Sequence, residues 1–207
     1  MTLAPDIPRG WHSRGYIPHF DGGDIVQFVT FRLADSLPKH MLERWEIELA
    51  QLEQKDMELE RRRRIEQYLD KGTGTAWLGD RNVARVVQNA LLFFDGKRYR
   101  LPAWVVMPNH VHVLLKAEPG DSLSSILHSW KSYTSNEANK ILARRGEFWQ
   151  EDYFDRYIRN ASHFQDAIDY IERNPVKAGL CARKADWEFS SAKARLGGQD
   201  ARAPGKR

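Results

Sequence analysis

Cysteine is almost absent from this sequence, because Cys181 is the only one in 207 residues. A lone thiol excludes an internal disulfide and any zinc site built on cysteine pairs, and it suits a reducing cytoplasm. The sequence also lacks an apolar run approaching the about 18 residues that a membrane-spanning helix needs. Residues 1–14 lack the apolar segment of a secretory signal. We therefore expect a cytoplasmic protein without a membrane partner.

No glycine-rich phosphate loop of the Walker type is present, so no requirement for ATP is predicted. The formal net charge of +4 points only weakly to nucleic acid. Positive charge is concentrated in the run Arg61–Arg64 and in the segment after Ser191. Either region could be solvated surface or a DNA contact, and both interpretations stay open. Residues 192–207, rich in Gly, Ala and Pro, are predicted to be a disordered basic tail.

Hydrophobic periodicity and turn residues divide the chain into alternating strands and helices without a regular βαβ pattern. The predicted elements are a strand at 25–33, one or two charged helices within 38–69, a helix from Asp80 to about 94, paired strands at 99–107 and 110–115, a helix at 122–142, an irregular aromatic stretch at 148–159 and a helix at 162–174. This order predicts an α+β fold, an antiparallel sheet with helices on one face. We expect one domain at 1–191 that carries a charged helical insertion at 39–72.

The motif His110-Val111-His112 opens the second of the paired strands. Residues i and i+2 of a strand point to the same side, so both imidazoles should face one way and Val111 the other. Two neutral imidazoles on one face can form half of a metal site. The alternative is a pair of half-exposed histidines on a sheet. Their place directly after a turn, in an apolar strand, favours the ligand interpretation.

The last predicted helix presents a phenol and a carboxamide together. Tyr170 and Asn174 are four residues apart and so share a helical face. The asparagine could supply a hard oxygen ligand that completes a His-His-Asn set. Ser162 with Gln165 predicts a capping box at the start, and the Asn174-Pro175 step predicts the end. The alternative is a rim tyrosine followed by an ordinary C-terminal asparagine. The predicted buried stripe consists of Phe164, Ala167, Ile168 and Ile171.

Two stretches, Met107–Leu115 and Tyr170–Gly179, resemble the REP-associated tyrosine transposases. These belong to the bacterial single-tyrosine transposases named HUH after their His-hydrophobic-His motif. The similarity runs from about Ile25 to Trp187, and the charged insertion and the basic tail depart from it. It implies a ferredoxin-like (RRM-like) catalytic sheet.

The resemblance implies roles for individual residues. His110, His112 and Asn174 would bind Mg²⁺ or Mn²⁺, and Tyr170 would be the nucleophile. The implied reaction is metal-dependent cleavage and strand transfer of single-stranded DNA through a 5′-phosphotyrosine, with a DNA hairpin as an expected element. A nucleoid-associated location and a homodimer are further expectations. Basic residues near the expected site could hold backbone phosphate. They are Arg156, Arg159, Arg173 and Lys177.

Other interpretations remain open at this stage. Tyr153 and Tyr157 are rival nucleophiles, but neither precedes a ligand-type residue by four positions, so they are better interpreted as core or base-stacking residues. The chain could be a nucleic-acid-binding module without catalysis. It could also be a metal-dependent nuclease in which water attacks and Tyr170 is structural.

Overall fold

The computed structural model describes residues 10–13, 18–21 and 25–197. Its strands are β1 Gly10–Ser13, β2 Pro18–Asp21, β3 Val26–Arg32, β4 Tyr99–Val106, β5 His110–Ala117 and β6 Phe154–Tyr157. Its helices are α1 Lys39–Leu49, α2 Gln54–Asp70, α3 Arg81–Phe93, α4 Leu123–Ile141, α5 Ala161–Lys177 and α6 Ser191–Gly197.

The central feature is a four-stranded antiparallel sheet in the order β4-β5-β3-β6. β1 and β2 pair with each other in a separate antiparallel hairpin. The predicted α+β class is confirmed, and so is the predicted hairpin of β4 and β5. β6 lies in the aromatic stretch that was predicted to be irregular, so that prediction was wrong for four residues. Four residues are too few to show an alternating pattern.

Helices cover both faces of the sheet, whereas the sequence predicted helices on one face. α3 and α4 pack against the face that carries Val111, Val113 and Leu115, where the main core lies. α5 packs against the opposite face, which carries Phe28 and Leu114. β5 is buried on both faces, although one of them carries His110 and His112. The one-sided prediction failed because these polar residues do not mark an open face, since α5 covers the side on which they lie.

α3 begins where the sequence predicted. The side chain of Asp80 accepts hydrogen bonds from the backbone N–H groups of Asn82 and Val83. A side-chain oxygen at this position satisfies donors that the first helical turn leaves free. Val83, Val87 and Leu91 then recur at helical spacing and are buried against the sheet.

The predicted charged insertion is the pair α1 and α2, which has its own small core of Leu37, Trp45, Leu49, Ile65 and Leu69. Its base is held together because the hydroxyl of Thr73 donates to the carbonyl of Ser36. Gly74 has a φ of +89°, and a Cβ there would lie 3.0 Å from the carbonyl oxygen of Asp35. Position 74 therefore needs glycine, both because its φ is positive and because a side chain would be too close to Asp35.

The arginine run lies on α2 and forms ion pairs within the insertion. Arg61 pairs with Glu46, Arg63 with Glu60, and Arg64 with Glu48 and Glu60. These contacts agree better with the surface interpretation of the run than with the DNA-contact interpretation.

The start of the predicted disordered tail is instead helical. α6 is anchored to α5 by the buried carboxylate of Glu172, which accepts hydrogen bonds from Ser191 and Arg195. The prediction of disorder was therefore wrong for residues 192–197, because composition cannot reveal a buried partner on another helix. The rest of the predicted tail, residues 198–207, lies outside the described residues.

The ends of α5 also differ from the prediction. Asn160, not Ser162, caps the helix, and its side-chain oxygen accepts from the backbone N–H of His163. The helix continues through Pro175 to Lys177. This continuation places Lys177 two turns after Tyr170 on the same side of the helix.

Candidate active site

The two histidines of β5 face the same side of the sheet, as predicted. Nε2 of His110 lies 3.0 Å from Nε2 of His112. Val111 faces the main core on the other side. Both imidazoles are buried, with relative exposures of 0% and 1%, so the alternative of a half-exposed pair does not hold.

Asn109 determines which nitrogen of His110 carries the proton. Its amide nitrogen donates to the carbonyls of Leu69 and Thr73, so its carboxamide oxygen is the atom turned toward His110. That oxygen lies 2.7 Å from Nδ1 of His110. An amide oxygen can only accept, so Nδ1 must be the protonated nitrogen. Nε2 of His110 therefore presents a lone pair.

His112 is held by a hydroxyl rather than a carbonyl. Its Nδ1 lies 2.7 Å from Oγ1 of Thr30, which is its register partner on β3. A hydroxyl can donate or accept, so this contact allows either tautomer of His112. In the absence of a cation, Nε2 of His112 donates to the lone pair of His110.

Burial keeps both rings neutral. It lowers the pKa of His110 from its ordinary value of 6.5 to about 3, and the positive charge of Lys177 adds to this effect. Burial also lowers the pKa of His112 well below its usual range, with smaller contributions from His110, Arg156 and Lys177. Neutral imidazole is the form that binds metals.

Tyr170 lies against the histidine pair. Its ring centroid is 5.6 Å from that of His112 and 5.8 Å from that of Phe28. The hydroxyl is buried and forms no well-aligned hydrogen bond with the described residues. Burial raises the pKa of this phenol well above its usual value, and the carboxylates of Glu66 and Asp70 raise it further. In the protein by itself, Tyr170 is therefore a neutral phenol.

Asn174 lies one turn after Tyr170 on α5 and is 1% exposed. Both polar atoms of its carboxamide are buried without a hydrogen-bond partner among the described residues. A buried amide without partners is costly and calls for an explanation. One explanation is that the carboxamide oxygen becomes a ligand when a cation binds.

Glu66 is a site residue that the sequence did not predict. It lies on α2, and its carboxyl group is close to the Tyr170 hydroxyl. Burial raises the pKa of Glu66. Asp70, one turn later, forms an ion pair of 2.7 Å with Lys177. Glu66 and Asp70, one turn apart on α2, thus face Tyr170 and Lys177 on α5. No local motif marks Glu66, since it is one of many acidic residues in a charged segment.

The four predicted phosphate-binding residues divide into two groups. Arg156 lies 4.7 Å from the ring centroid of Phe28, and Lys177 lies 5.5 Å from that of Tyr170, so both are at the site. Arg173 is exposed and pairs with Asp169. Arg159 lies 5.6 Å from the ring of Tyr157. These contacts of Arg159 and Arg173 are with residues other than His110, His112 and Tyr170.

The rival tyrosines belong to other parts of the fold. Tyr153 is buried in the main core, on the sheet face opposite the histidines. Tyr157 pairs in register with Gln27, and cross-strand partners share a face. Gln27 lies one residue before Phe28 of the histidine face, so it points the other way. Neither rival shares the face of His110 and His112.

The histidine pair has a geometry that suits one divalent cation. Two ligands at right angles, each about 2.1 Å from a cation, lie about 3.0 Å apart, which is the observed Nε2 separation. Among the described residues no group of three His, Cys, Asp or Glu side chains could hold a metal. A third protein ligand would therefore have to be of another type, such as Asn174.

A protein-family model described as "Transposase IS200 like" matches residues 82–174, a range that contains the histidine motif, Tyr170 and Asn174. A REP-associated tyrosine transposase of Escherichia coli K12 is 30% identical over 93 residues, 45% of this chain and 54% of that protein. This part of the chain is similar to the IS200-like transposases. The resemblance inferred from the two motifs is confirmed.

Two further relatives extend the comparison. A Haemophilus influenzae relative of the same designation is 26% identical to this chain over 96 residues, which are 42% of this chain and 54% of that protein. The chain thus spans about half the length of the curated relatives that it matches. A REP-associated tyrosine transposase solved in complex with a REP hairpin covers 86% of this chain, which in turn covers 83% of that one, with a TM-score of 0.56 and 19% identity. This likeness shows a shared fold.

The range matched by the family model does not include every residue of the site. Thr30, Glu66 and Asn109 contact the catalytic candidates, but only Asn109 lies within the matched range. None of the described helices is long and apolar enough to cross a membrane.

Proposed function

We propose that this chain cuts and rejoins single-stranded DNA, with Tyr170 as the nucleophile and a 5′-phosphotyrosine as the intermediate. The observation that carries the proposal is the carboxamide of Asn174, which is buried without a hydrogen-bond partner among the described residues. The buried hydroxyl of Tyr170 lies one turn earlier on α5, and the Tyr170 ring contacts His112 of the histidine pair. A purely structural site would have paired the carboxamide.

In the proposed reaction the phenolic oxygen of Tyr170 bonds to phosphorus as the bond to the 3′ oxygen breaks. Glu66 is placed to accept the phenolic proton, and the 3′ oxygen then takes a proton from water. A divalent cation held by His110, His112 and Asn174 would polarise the scissile phosphate and stabilise the leaving oxygen. Aryl oxide is a better leaving group than alkoxide, so the phosphotyrosine bond can be reversed to rejoin a strand.

The substrate class is supported by charge and by a relative. Arg156 and Lys177 supply positive charge beside Tyr170. A solved relative was bound to a REP hairpin, so we propose a single strand next to a DNA hairpin as the substrate. Mg²⁺ or Mn²⁺ is the proposed cation.

The deciding experiment mixes protein, Mn²⁺ and a single strand labelled 3′ of the cut, followed by denaturing electrophoresis. The strand is first obtained by selection from a random pool. Wild type should give a covalent adduct, and Tyr170→Phe should lose both adduct and cleavage. Tyr157→Phe is the matched control and should keep the adduct.

The same assay separates the two alternatives. Equal cleavage by wild type and Tyr170→Phe, without an adduct, would show that water is the nucleophile. Tight binding by wild type without any cleavage of the selected strand in Mn²⁺ would show a binding module.

A further inference from the structure

Arg32 is a buried arginine that the proposed reaction does not use. It is the last residue of β3 and pairs in register with His110 on β5. Its side chain therefore lies on the same sheet face as the histidines. The residue is 2% exposed, and its Nε and Nη1 atoms are buried without a hydrogen-bond partner among the residues that the structure describes. Arginine is almost never fully buried unless it is paired.

Arg32 is charged at neutral pH. Burial lowers its pKa to about 10, the carboxylate of Asp152 opposes this, and the charge of Arg61 on α2 adds to it. Arg61 is itself paired with Glu46. A buried guanidinium with unused donors favours an anionic ligand.

A cavity leads toward this group. Arg32 lies 5.9 Å from the ring centroid of Phe154, which belongs to β6. Phe154 lines a cavity of about 340 Å³ between β3, β6 and α2, together with Thr30, Glu66 and Arg156. Neither Arg32 nor Tyr170 lines this cavity, but Phe154 beside Arg32 and Glu66 beside Tyr170 both do.

We infer that Arg32 binds a backbone phosphate of the DNA strand, next to the phosphate that Tyr170 attacks. A guanidinium matches phosphate oxygens with paired hydrogen bonds, and Arg32 has unused donors for them. A neutral guanine base can also accept paired bonds from arginine. The charge of the Arg32 guanidinium favours phosphate, which is an anion. This inference rests on the proposed function for the identity of the ligand.

The test uses Arg32→Met in the full chain and measures binding of a mixed-sequence single strand at several salt concentrations without metal, so that no cleavage occurs. Affinity should fall about ten- to a hundredfold, the range for a lost charge-assisted hydrogen bond. The slope of log affinity against log salt should become shallower by about 0.7, because one phosphate contact is lost. Arg100→Met removes an exposed arginine of the same sheet and is the matched control.

Thermal unfolding distinguishes this role from a structural one. Removal of an unpaired buried charge should leave the melting temperature of Arg32→Met unchanged or higher than that of wild type. A lower melting temperature with an unchanged salt slope would overturn the inference. A fall in affinity confined to strands with one particular guanine, at constant slope, would overturn it in favour of base recognition.

The inference and the proposed function can fail separately. If Arg32→Met shows the expected change in salt slope but wild type never forms an adduct in Mn²⁺, the phosphate site stands and the proposed chemistry is wrong. If the adduct forms and Arg32→Met binds like wild type, the chemistry stands and the phosphate site falls.

Discussion

The carboxamide oxygen of Asn109 lies 2.7 Å from Nδ1 of His110 and fixes the protonation of that ring. Oγ1 of Thr30 lies 2.7 Å from Nδ1 of His112 and orients that ring without fixing its tautomer. Hydrogen bonds to the far nitrogen of a ligand histidine orient the ring and raise its basicity, and their loss typically weakens metal binding about 10- to 100-fold. The proposed metal site therefore depends on two residues that are not themselves ligands.

Thr30→Val should weaken Mn²⁺ binding within that range without unfolding the protein, because valine has nearly the same shape as threonine. The measurement is the rise in melting temperature on titration with Mn²⁺. Thr75→Val is the matched control, since the Thr75 hydroxyl bonds Asp35 at the base of the insertion. An unchanged Mn²⁺ response in Thr30→Val would show that this contact does not support the site.

His112→Ala should abolish both the Mn²⁺-dependent rise in melting temperature and strand cleavage, since one of the two imidazole ligands is lost. EDTA should abolish cleavage by wild type in the same way. Cleavage that persists at the wild-type rate in EDTA would contradict metal dependence.

The buried histidines should make stability depend on pH in metal-free protein. His110 has its pKa lowered from 6.5 to about 3, so between these values the unfolded chain binds a proton that the native protein does not. Stability is therefore full above pH 6.5 and is lost as the pH falls through this window. The free energy of unfolding should drop by about 1.4 kcal/mol per pH unit for this group.

Urea unfolding in EDTA between pH 7 and pH 5 measures this slope. The variant His110→Gln cannot titrate at this position and should show a shallower slope, whatever its stability at neutral pH. His128→Gln, at an exposed position, is the control and should keep the wild-type slope. Equal slopes in wild type and His110→Gln would contradict the lowered pKa.

Glu66→Gln should slow adduct formation near neutral pH, because the proposed acceptor of the phenolic proton is lost. The deficit should close as the pH rises, because solvent hydroxide then removes the proton. Loss of the Glu66 charge should also lower the pKa of Tyr170. The readout is the adduct-formation rate across pH, and Glu60→Gln on the same helix is the control. A deficit of the same size at every pH would instead show that Glu66 only supports the fold.

Single-stranded DNA should be cut in preference to perfect duplex, because the Tyr170 hydroxyl is buried and an unpaired strand can approach it more closely than a duplex. Affinity for the single strand should fall with salt at a log–log slope of about −0.7 for each neutralised phosphate. Comparison of cleavage rates on matched single-stranded and duplex substrates measures the preference. Equal rates would count against the proposed substrate.

Local sequence determined those relationships that depend only on backbone periodicity. A period of two residues places His110 and His112 on one side of β5, and a spacing of four places Tyr170 and Asn174 on one side of α5. Asp80 predicted the start of α3 for the same reason, since a cap acts within a single turn. The predicted helix ends were less accurate, because α5 continues through Pro175, where the sequence predicted its end.

Only the tertiary structure decided which partners these residues meet. Glu66 reaches Tyr170 across about a hundred residues of sequence, and Thr30 reaches His112 across 82. Such contacts depend on strand register and helix packing, which no short sequence window contains. The same burial lowers the pKa of His110, and two nitrogens of Arg32 are buried without a hydrogen-bond partner among the described residues. Desolvation is a property of the assembled fold, so the electrostatic state of the site arises only when β3, β5, α2 and α5 come together.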